Sequence, residues 1–155
     1  MKRLVLMRGI PGSGKSYKAK ELAYHHIIDG GRSLAICATD DYHMVDGEYV
    51  FNADMLGQFH ELNQKRAEQF MRCETELVII DNTNIKRRDM KSYRDSGEKL
   101  GYTVEEVIVG KDQLLPSLDD ADPHKFNDYI DFCTKRNTHS VPRDAIEKMA
   151  RRFQE

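Results

Sequence analysis

Cysteine is scarce in this sequence. There are three in 155 residues, Cys37, Cys73 and Cys133, an odd number with no Cys-x-x-Cys pair. A chain of 18.0 kDa can bury a core of its own, so these are expected to be reduced thiols in a cytoplasmic setting, not a disulfide framework. The six histidines show no metal-ligand spacing with the cysteines, which argues against a structural zinc site. An excess of positive charge is missing too. Lys and Arg number 24 against 26 Asp and Glu, a net charge of −2. No overall field exists to coat a long duplex, and a small or locally gripped substrate stays open. Long apolar runs are absent. The longest aliphatic runs, Leu4–Met7 and Leu77–Ile80, fall far short of the roughly 20 residues of a membrane span. The apolar N-terminal stretch is too short for a signal peptide, and no membrane partner is expected. Repeats, low-complexity tracts and a Ser-His-Asp grouping are also missing.

What is present is an alternation of strand-like and helix-like segments, the pattern of a parallel sheet covered by helices. Arg3–Met7 reads as a strand and is followed by a glycine-rich stretch. A helix from Lys15 to about Asp29 carries Ala19, Leu22, Ala23 and Ile27 on one side and stops at Gly30-Gly31. Leu34–Ala38 is the second strand, and a polar loop runs from Thr39 to about Phe51. Asn52 can cap a helix whose face is Met55, Phe59, Leu62, Arg66 and Phe70. Leu77–Ile80 is the third strand, Arg88–Leu100 a helix and Thr103–Val109 a fourth strand. An acidic, proline-containing loop covers Asp112–Asp122. Asp122-Pro123 begins another helix, and Pro142 a last one. The expectation is one α/β domain over 1–155, with about four strands and a C-terminal helical appendage.

Gly9-Ile10-Pro11-Gly12-Ser13-Gly14-Lys15-Ser16 fits GxxxxGK[ST] at every position and sits between a strand and a helix. Consecutive backbone N–H groups can wrap a triphosphate only where no Cβ intervenes, hence the glycines. The helix opening at Lys15 points its positive end at the same anion. Lys15 supplies a point charge to the β- and γ-phosphates, and the Ser16 hydroxyl is placed for Mg²⁺. Gly9, Gly12, Ser13, Gly14, Lys15, Ser16 and the following Tyr17 form the expected ATP-binding set. Asp81, after four aliphatic residues, reads as a strand-end carboxylate that organises Mg²⁺ or its water shell. The other reading of Asp81 is a strand-end cap.

The second strand ends in Thr39-Asp40-Asp41-Tyr42-His43. Chemistry gathers at the carboxyl ends of parallel strands, and a carboxylate there can take a proton from an attacking hydroxyl. Adjacent side chains diverge, so one of Asp40 and Asp41 should face the site. Asn82, Thr83 and Asn84 offer short polar groups at the same edge. Lys86, Arg87 and Arg88, with Lys91 and Arg94 beyond, are either a phosphate-contacting patch or a solvated helix face.

Taken in order, the loop Gly9–Ser16, Thr39-Asp40-Asp41-Tyr42, Asp81-Asn82-Thr83-Asn84, and Lys135-Arg136-Asn137 with Val141-Pro142 resemble the polynucleotide 5′-kinase branch of the P-loop kinases. That branch includes the kinase half of phage polynucleotide kinase/phosphatase. The resemblance covers nearly the whole chain. It implies a three-layer P-loop kinase fold with a helical lid at about 123–142, and ATP and Mg²⁺ as cofactors. It makes Asp40 the general base on a 5′-hydroxyl, Lys15 and Arg136 catalytic, and Arg136 an ATP-contacting lid residue. Asp41, Tyr42, His43, Asn82, Thr83, Asn84, Arg87 and Arg88 become the acceptor-binding set, with Ser16 and Asp81 toward the metal. Two departures stand out. His43 occupies the place of a family arginine that binds the acceptor's 3′-phosphate, and the lid segment is short. A kinase of a nucleoside, nucleotide or other small alcohol is the alternative. An ATP-binding switch or adaptor without an acceptor is a third reading, of another class.

Overall fold

A computed structural model describes all of residues 1–155. Four strands, β1 (Arg3–Arg8), β2 (Leu34–Cys37), β5 (Leu77–Asp81) and β6 (Thr103–Ile108), form one sheet in the order β2-β5-β1-β6. Every pairing in it is parallel. Between β2 and β5 lie a two-stranded hairpin, β3 (Met44–Val45) with β4 (Glu48–Tyr49), and the helix α2 (Leu56–Arg72). The other helices are α1 (Lys15–Ile28), α3 (Arg87–Lys99), α4 (Lys111–Leu114), α5 (Pro123–Arg136) and α6 (Arg143–Arg151).

The layers follow from the period of two in the strands. Leu4 and Leu6 of β1 and Val78 and Ile80 of β5 point to one face, where Ala67 and Met71 of α2 and Met90 and Tyr93 of α3 cover them. Val5, Met7, Leu77 and Ile79 point to the other, onto Ala19 and Ala23 of α1. Both central strands are therefore apolar on both faces, as a sheet covered on two sides requires. This is the three-layer α/β arrangement expected from the sequence.

A third cluster holds the C-terminal helices. Ile10, Ile130 and Ile146 are fully buried in it, beside Cys133 and Leu114. Each such side chain contributes about 1.5–3 kcal/mol when taken out of water. The segment expected as a lid is thus seated on the core through α5. Arg8, fully buried at the end of β1, ties this region to the sheet. Its guanidinium donates to Glu106 at 3.1 Å, to the Asn84 and Ile85 carbonyls, and to the Gln154 carbonyl near the chain's end.

The polar loop expected over 39–51 contains more structure than that. Thr39–His43 is a 3₁₀ turn, and β3 and β4 are joined through Asp46-Gly47, both at positive φ (51° and 83°). Two consecutive left-handed residues in a two-residue connection make a type I′ hairpin, for which Asp-Gly is a preferred pair. Asn52 caps the next turn as expected, accepting from the Asp54 N–H at 3.1 Å. The short helix α4 also falls where only a loop was expected. The three cysteines are free thiols, Cys37 and Cys133 buried and Cys73 exposed. No helix is long and apolar enough to cross a membrane.

Candidate active site

The strand ends of the parallel sheet carry the candidate chemistry. Residues 9–14 leave β1 and turn into α1, and Gly14 caps that helix with φ of 95°. Gly12 also lies at positive φ, and a Cβ there would overlap the Cys133 carbonyl oxygen of α5. Only glycine satisfies both the left-handed backbone and the helix seated on it.

Asp81 closes β5 in register with Met7 of β1, which sets its carboxylate beside the loop. The Ser16 hydroxyl donates to Asp81 Oδ2 at 2.8 Å, and Lys15 Nζ stands 3.6 Å from Oδ1. Both side chains of the Lys15–Asp81 pair are largely buried, at 13% and 8% exposure. The hydroxyl of Ser13 and Oδ1 of Asp81 are buried without a hydrogen-bond partner. Unmet polar atoms in a buried loop are costly unless a ligand completes them. These residues fit a phosphate chain with its cation. No group of three His, Cys, Asp or Glu is placed to cage a metal. Mg²⁺ characteristically binds through one or two protein oxygens, completing its shell with waters and phosphates, and Ser16 and Asp81 can provide those oxygens.

Arg136 ends α5 above this loop. Its Nη2 lies 3.5 Å from where a Gly14 Cβ would stand, its guanidinium rests over Phe132 at 4.8 Å, and it makes no ion pair. Tyr17 is exposed at 77% on the outer side of α1.

A cleft of about 470 Å³ joins the loop to the end of β2. Lys15, Ser16 and Gly12 line one side, Thr39 and Asp40 another, and Asn82 and Thr83 the floor between them. The two carboxylates after β2 do diverge. Asp40 faces the cleft, and Asp41 turns out to pair with Arg66 at 3.1 Å. Asp40 is gripped from two directions. Tyr49 of the hairpin donates to Oδ1 at 3.3 Å, and His139 Nδ1, in the turn between α5 and α6, lies 3.4 Å from Oδ2. The two rings sit against each other with centroids 3.8 Å apart. Burial, then the Asp40 charge, then the hydrogen bond to it push the Tyr49 phenol up to about 12. Thr39 is fixed by Asn82, whose Oδ1 accepts the Thr39 N–H at 2.9 Å, and by His60, 3.1 Å from the Thr39 hydroxyl.

Several acceptor-side expectations need correction. His43 is 1% exposed and packs among Tyr49, Phe51 and Phe59, its Nδ1 accepting from the Asn52 N–H. It braces the hairpin and does not face the cleft. Asn84 is buried at positive φ and donates to the Met7 carbonyl at 2.7 Å, so it joins strands and does not meet an acceptor. Tyr42 stacks on Phe59 and lies under Arg66. Arg87 is held in two hydrogen bonds by Glu106, Arg94 also binds Glu106, and Lys91 binds Asp95. The expected basic patch therefore does not act as a unit, and of it only Lys86 and Arg88 make no ion pair. Conversely, the sequence reading passed over Tyr49, Phe51, His60 and His139. Asp46-Gly47 was the available signal for the hairpin that presents Tyr49. Nothing local marks His139.

Comparison with known proteins accords with this geometry. A family model described as an AAA domain matches residues 4–113, from β1 past the end of β6. The chain belongs to this P-loop family. NEDD4-binding protein 2 of Homo sapiens is 34% identical over 151 residues, which is 97% of this chain and 8% of that protein. The chain thus spans less than a tenth of that relative. A structure of the Pnkp1/Rnl/Hen1 RNA repair complex superposes with a TM-score of 0.64 at 17% identity, over 97% of this chain and 43% of that one. The crystal structure of Chaetomium thermophilum Kti12 in complex with ADP-AlF3 gives 0.64 at 17%, over 98% and 80%. These likenesses establish the P-loop kinase fold.

Proposed function

We propose that the chain transfers the γ-phosphoryl of ATP to a 5′-hydroxyl of a nucleic acid. One observation carries the reading: Lys15, Ser16 and Asp40 line a single cleft, so a phosphate donor and a proton acceptor share one space. Lys15 and Arg136 neutralise charge on the transferring group, and bound Mg²⁺ supplies further neutralisation at the phosphates. Asp40 accepts the hydroxyl proton late in transfer, held in place by Tyr49. Asn82 and Thr83 border the acceptor's path. The similarity to a protein of an RNA repair complex supports a polynucleotide acceptor. In this reading residues 1–155 act as one kinase domain, 123–142 as its lid, in the cytoplasm.

A small-alcohol acceptor has one observation in its favour. Lys15 is the only lysine or arginine lining the cleft, while Tyr49 and Phe51 give it an aromatic wall. The test is transfer of labelled γ-phosphate to 5′-hydroxyl oligonucleotides, free nucleosides and sugars. The proposal expects product on oligonucleotides. Efficient transfer to a free nucleoside or sugar alone establishes the small-alcohol kinase in its place. ATP turnover indifferent to every acceptor points to a switch or adaptor.

A further inference from the structure

The cleft is not alone on its side of the molecule. A second groove, about 320 Å³, runs between the start of α3 and the outer face of α6. Lys86 and Arg88 border it on one side, Lys148 and Arg152 on the other. None of these four makes an ion pair. Their neighbours do: Arg87 and Arg94 with Glu106, Lys91 with Asp95, Arg143 with Asp131, Arg151 with Glu147. The sequence thus neutralises the surrounding cations and leaves a quartet unpaired. One carboxylate, Asp89, also lines the groove, where it accepts from the Lys86 N–H at 2.9 Å as the helix cap. Three positive charges remain in excess.

Groove and cleft share two residues, Ala145 and Met149. Positions 145, 148 and 149 of α6 and Arg152, which caps its C-terminus in helical geometry, fall on one face, while Ile146 and Ala150 turn into the core. A single face of α6 therefore forms a low apolar saddle with the cleft on one side and the cationic groove on the other.

Resting on the 5′-kinase reading, we infer that this groove holds the single-stranded acceptor downstream of its reactive end. The 5′ terminus enters the cleft toward Asp40, the first nucleotides cross Ala145 and Met149, and the following phosphates lie against Lys86, Arg88, Lys148 and Arg152. This explains how a cleft with one lysine serves a polyanion: the charge that grips the strand stands outside the chemistry. Phosphate contacts position a strand without reading its bases, so recognition here is sequence-tolerant. An acidic protein segment is the competing occupant, less favoured because the groove opens onto the candidate active site.

The experiment uses the full chain and the variant Lys148→Gln/Arg152→Gln, both positions exposed. Transfer is measured on a dinucleotide and on a single strand of about 12 nucleotides, within the span of common single-strand sites. Binding of the labelled strand is followed separately by anisotropy, without ATP, across a salt series. The wild type should favour the long acceptor in kcat/KM. In the variant that long-to-short ratio should collapse about tenfold, and the salt slope for binding should fall by about 1.4, at 0.7 per phosphate contact on a single strand. Arg152→Lys keeps the charge and should retain most of the ratio. If the wild type phosphorylates the long strand and the variant keeps the ratio and the slope, the groove is not the strand site, while the kinase reading stands. If the wild type phosphorylates no oligonucleotide, both fall. Tighter binding of a labelled polyglutamate peptide than of the strand assigns the groove to a protein partner and overturns the inference.

Discussion

The phosphate-loop (donor) half and the opposite (acceptor) half of the cleft, so named for the proposed transfer, are built on different plans. The donor half is one continuous stretch, Gly9–Ser16, completed by Asp81 from the neighbouring strand. Its geometry is mostly backbone, set by glycines and by the start of α1. The acceptor half is assembled from four separate segments: the end of β2 with Asp40, the hairpin with Tyr49, α2 with His60, and the turn after α5 with His139. Its geometry is side chains meeting across long stretches of sequence. A local motif tolerates little change and is readable. An assembled wall can be rebuilt residue by residue, which is where a kinase fold can change its acceptor.

The largest expected effects separate the two halves directly. Asp40→Asn keeps shape and removes the proposed proton acceptor. Transfer should fall by about 10²–10⁴-fold, with ATP affinity little changed. Lys15→Ala should cost about 10²–10³-fold in turnover and weaken ATP binding as well. Titrating both variants with ATP by calorimetry, alongside transfer assays, checks the split. An Asp41→Asn variant that loses transfer while Asp40→Asn keeps it would move the base to the wrong side of the turn.

His43→Arg tests the acceptor half as architecture. The resemblance to polynucleotide kinases puts an arginine there to hold a 3′-phosphate, so the substitution should improve the grip on oligonucleotides. The structure reverses that expectation. His43 lies in an aromatic cage with Asn52 on its one hydrogen-bonded nitrogen. A guanidinium forced into that site lacks a partner and should destabilise the fold by on the order of 3 kcal/mol. Chemical denaturation of the two proteins measures this. A variant as stable as wild type with a lower KM for oligonucleotides would restore the phosphate-contact role.

These two tests mark where the sequence is informative. The strands of the sheet, α1, α3 and the phosphate loop could be read because each is a local pattern: continuous apolar runs in the central strands, apolar residues at helical spacing closed by glycine, glycines at fixed spacing in the loop. Asp40 over Asp41 came from resemblance, and the structure sets only Asp40 in the cleft. The roles of His43, Asn84 and Arg87 were misread because their identity suited the chemistry and their burial or pairing was invisible. Glu106 is the clearest instance. Lying about twenty residues downstream of Arg87, and in a different element, it takes up that side chain and Arg94 together. Charge counted along the sequence overstates the charge left free in space.

Tyr49→Phe gives a smaller and more local effect. It deletes one donor to Asp40 and leaves the ring stacked on His139. The loss of one hydrogen bond is worth about 0.5–1.5 kcal/mol, so kcat should fall roughly threefold to tenfold. The phenol itself can be followed. With its pKa pushed up to about 12, it should stay protonated after ordinary tyrosines have ionised near 10. The alkaline difference spectrum between wild type and Tyr49→Phe should therefore show one tyrosinate appearing late. A normal titration would mean that neither the burial of the phenol nor its Asp40 contact persists in solution.

The smallest effect concerns His60, which binds the Thr39 hydroxyl on the acceptor wall. Burial lowers its pKa below the ordinary histidine value, and Asp89 and Asp40 oppose that only partly. Near pH 6.5, where an unfolded histidine takes up its proton, the folded ring holds its proton less readily. The unfolded state then binds more protons than the folded one, so stability rises with pH across this window. His60 thus contributes stability that is complete above about pH 6.5 and is lost as the pH falls. Denaturation midpoints measured at pH 7.5 and pH 5.5, for wild type and His60→Gln, isolate its share, since glutamine keeps a hydrogen-bonding group but does not titrate. The wild type should lose more stability than the variant on acidification. A smaller loss in the wild type would mean that Asp40 and Asp89 outweigh burial, and that the acceptor wall carries a charged His60 at the lower pH.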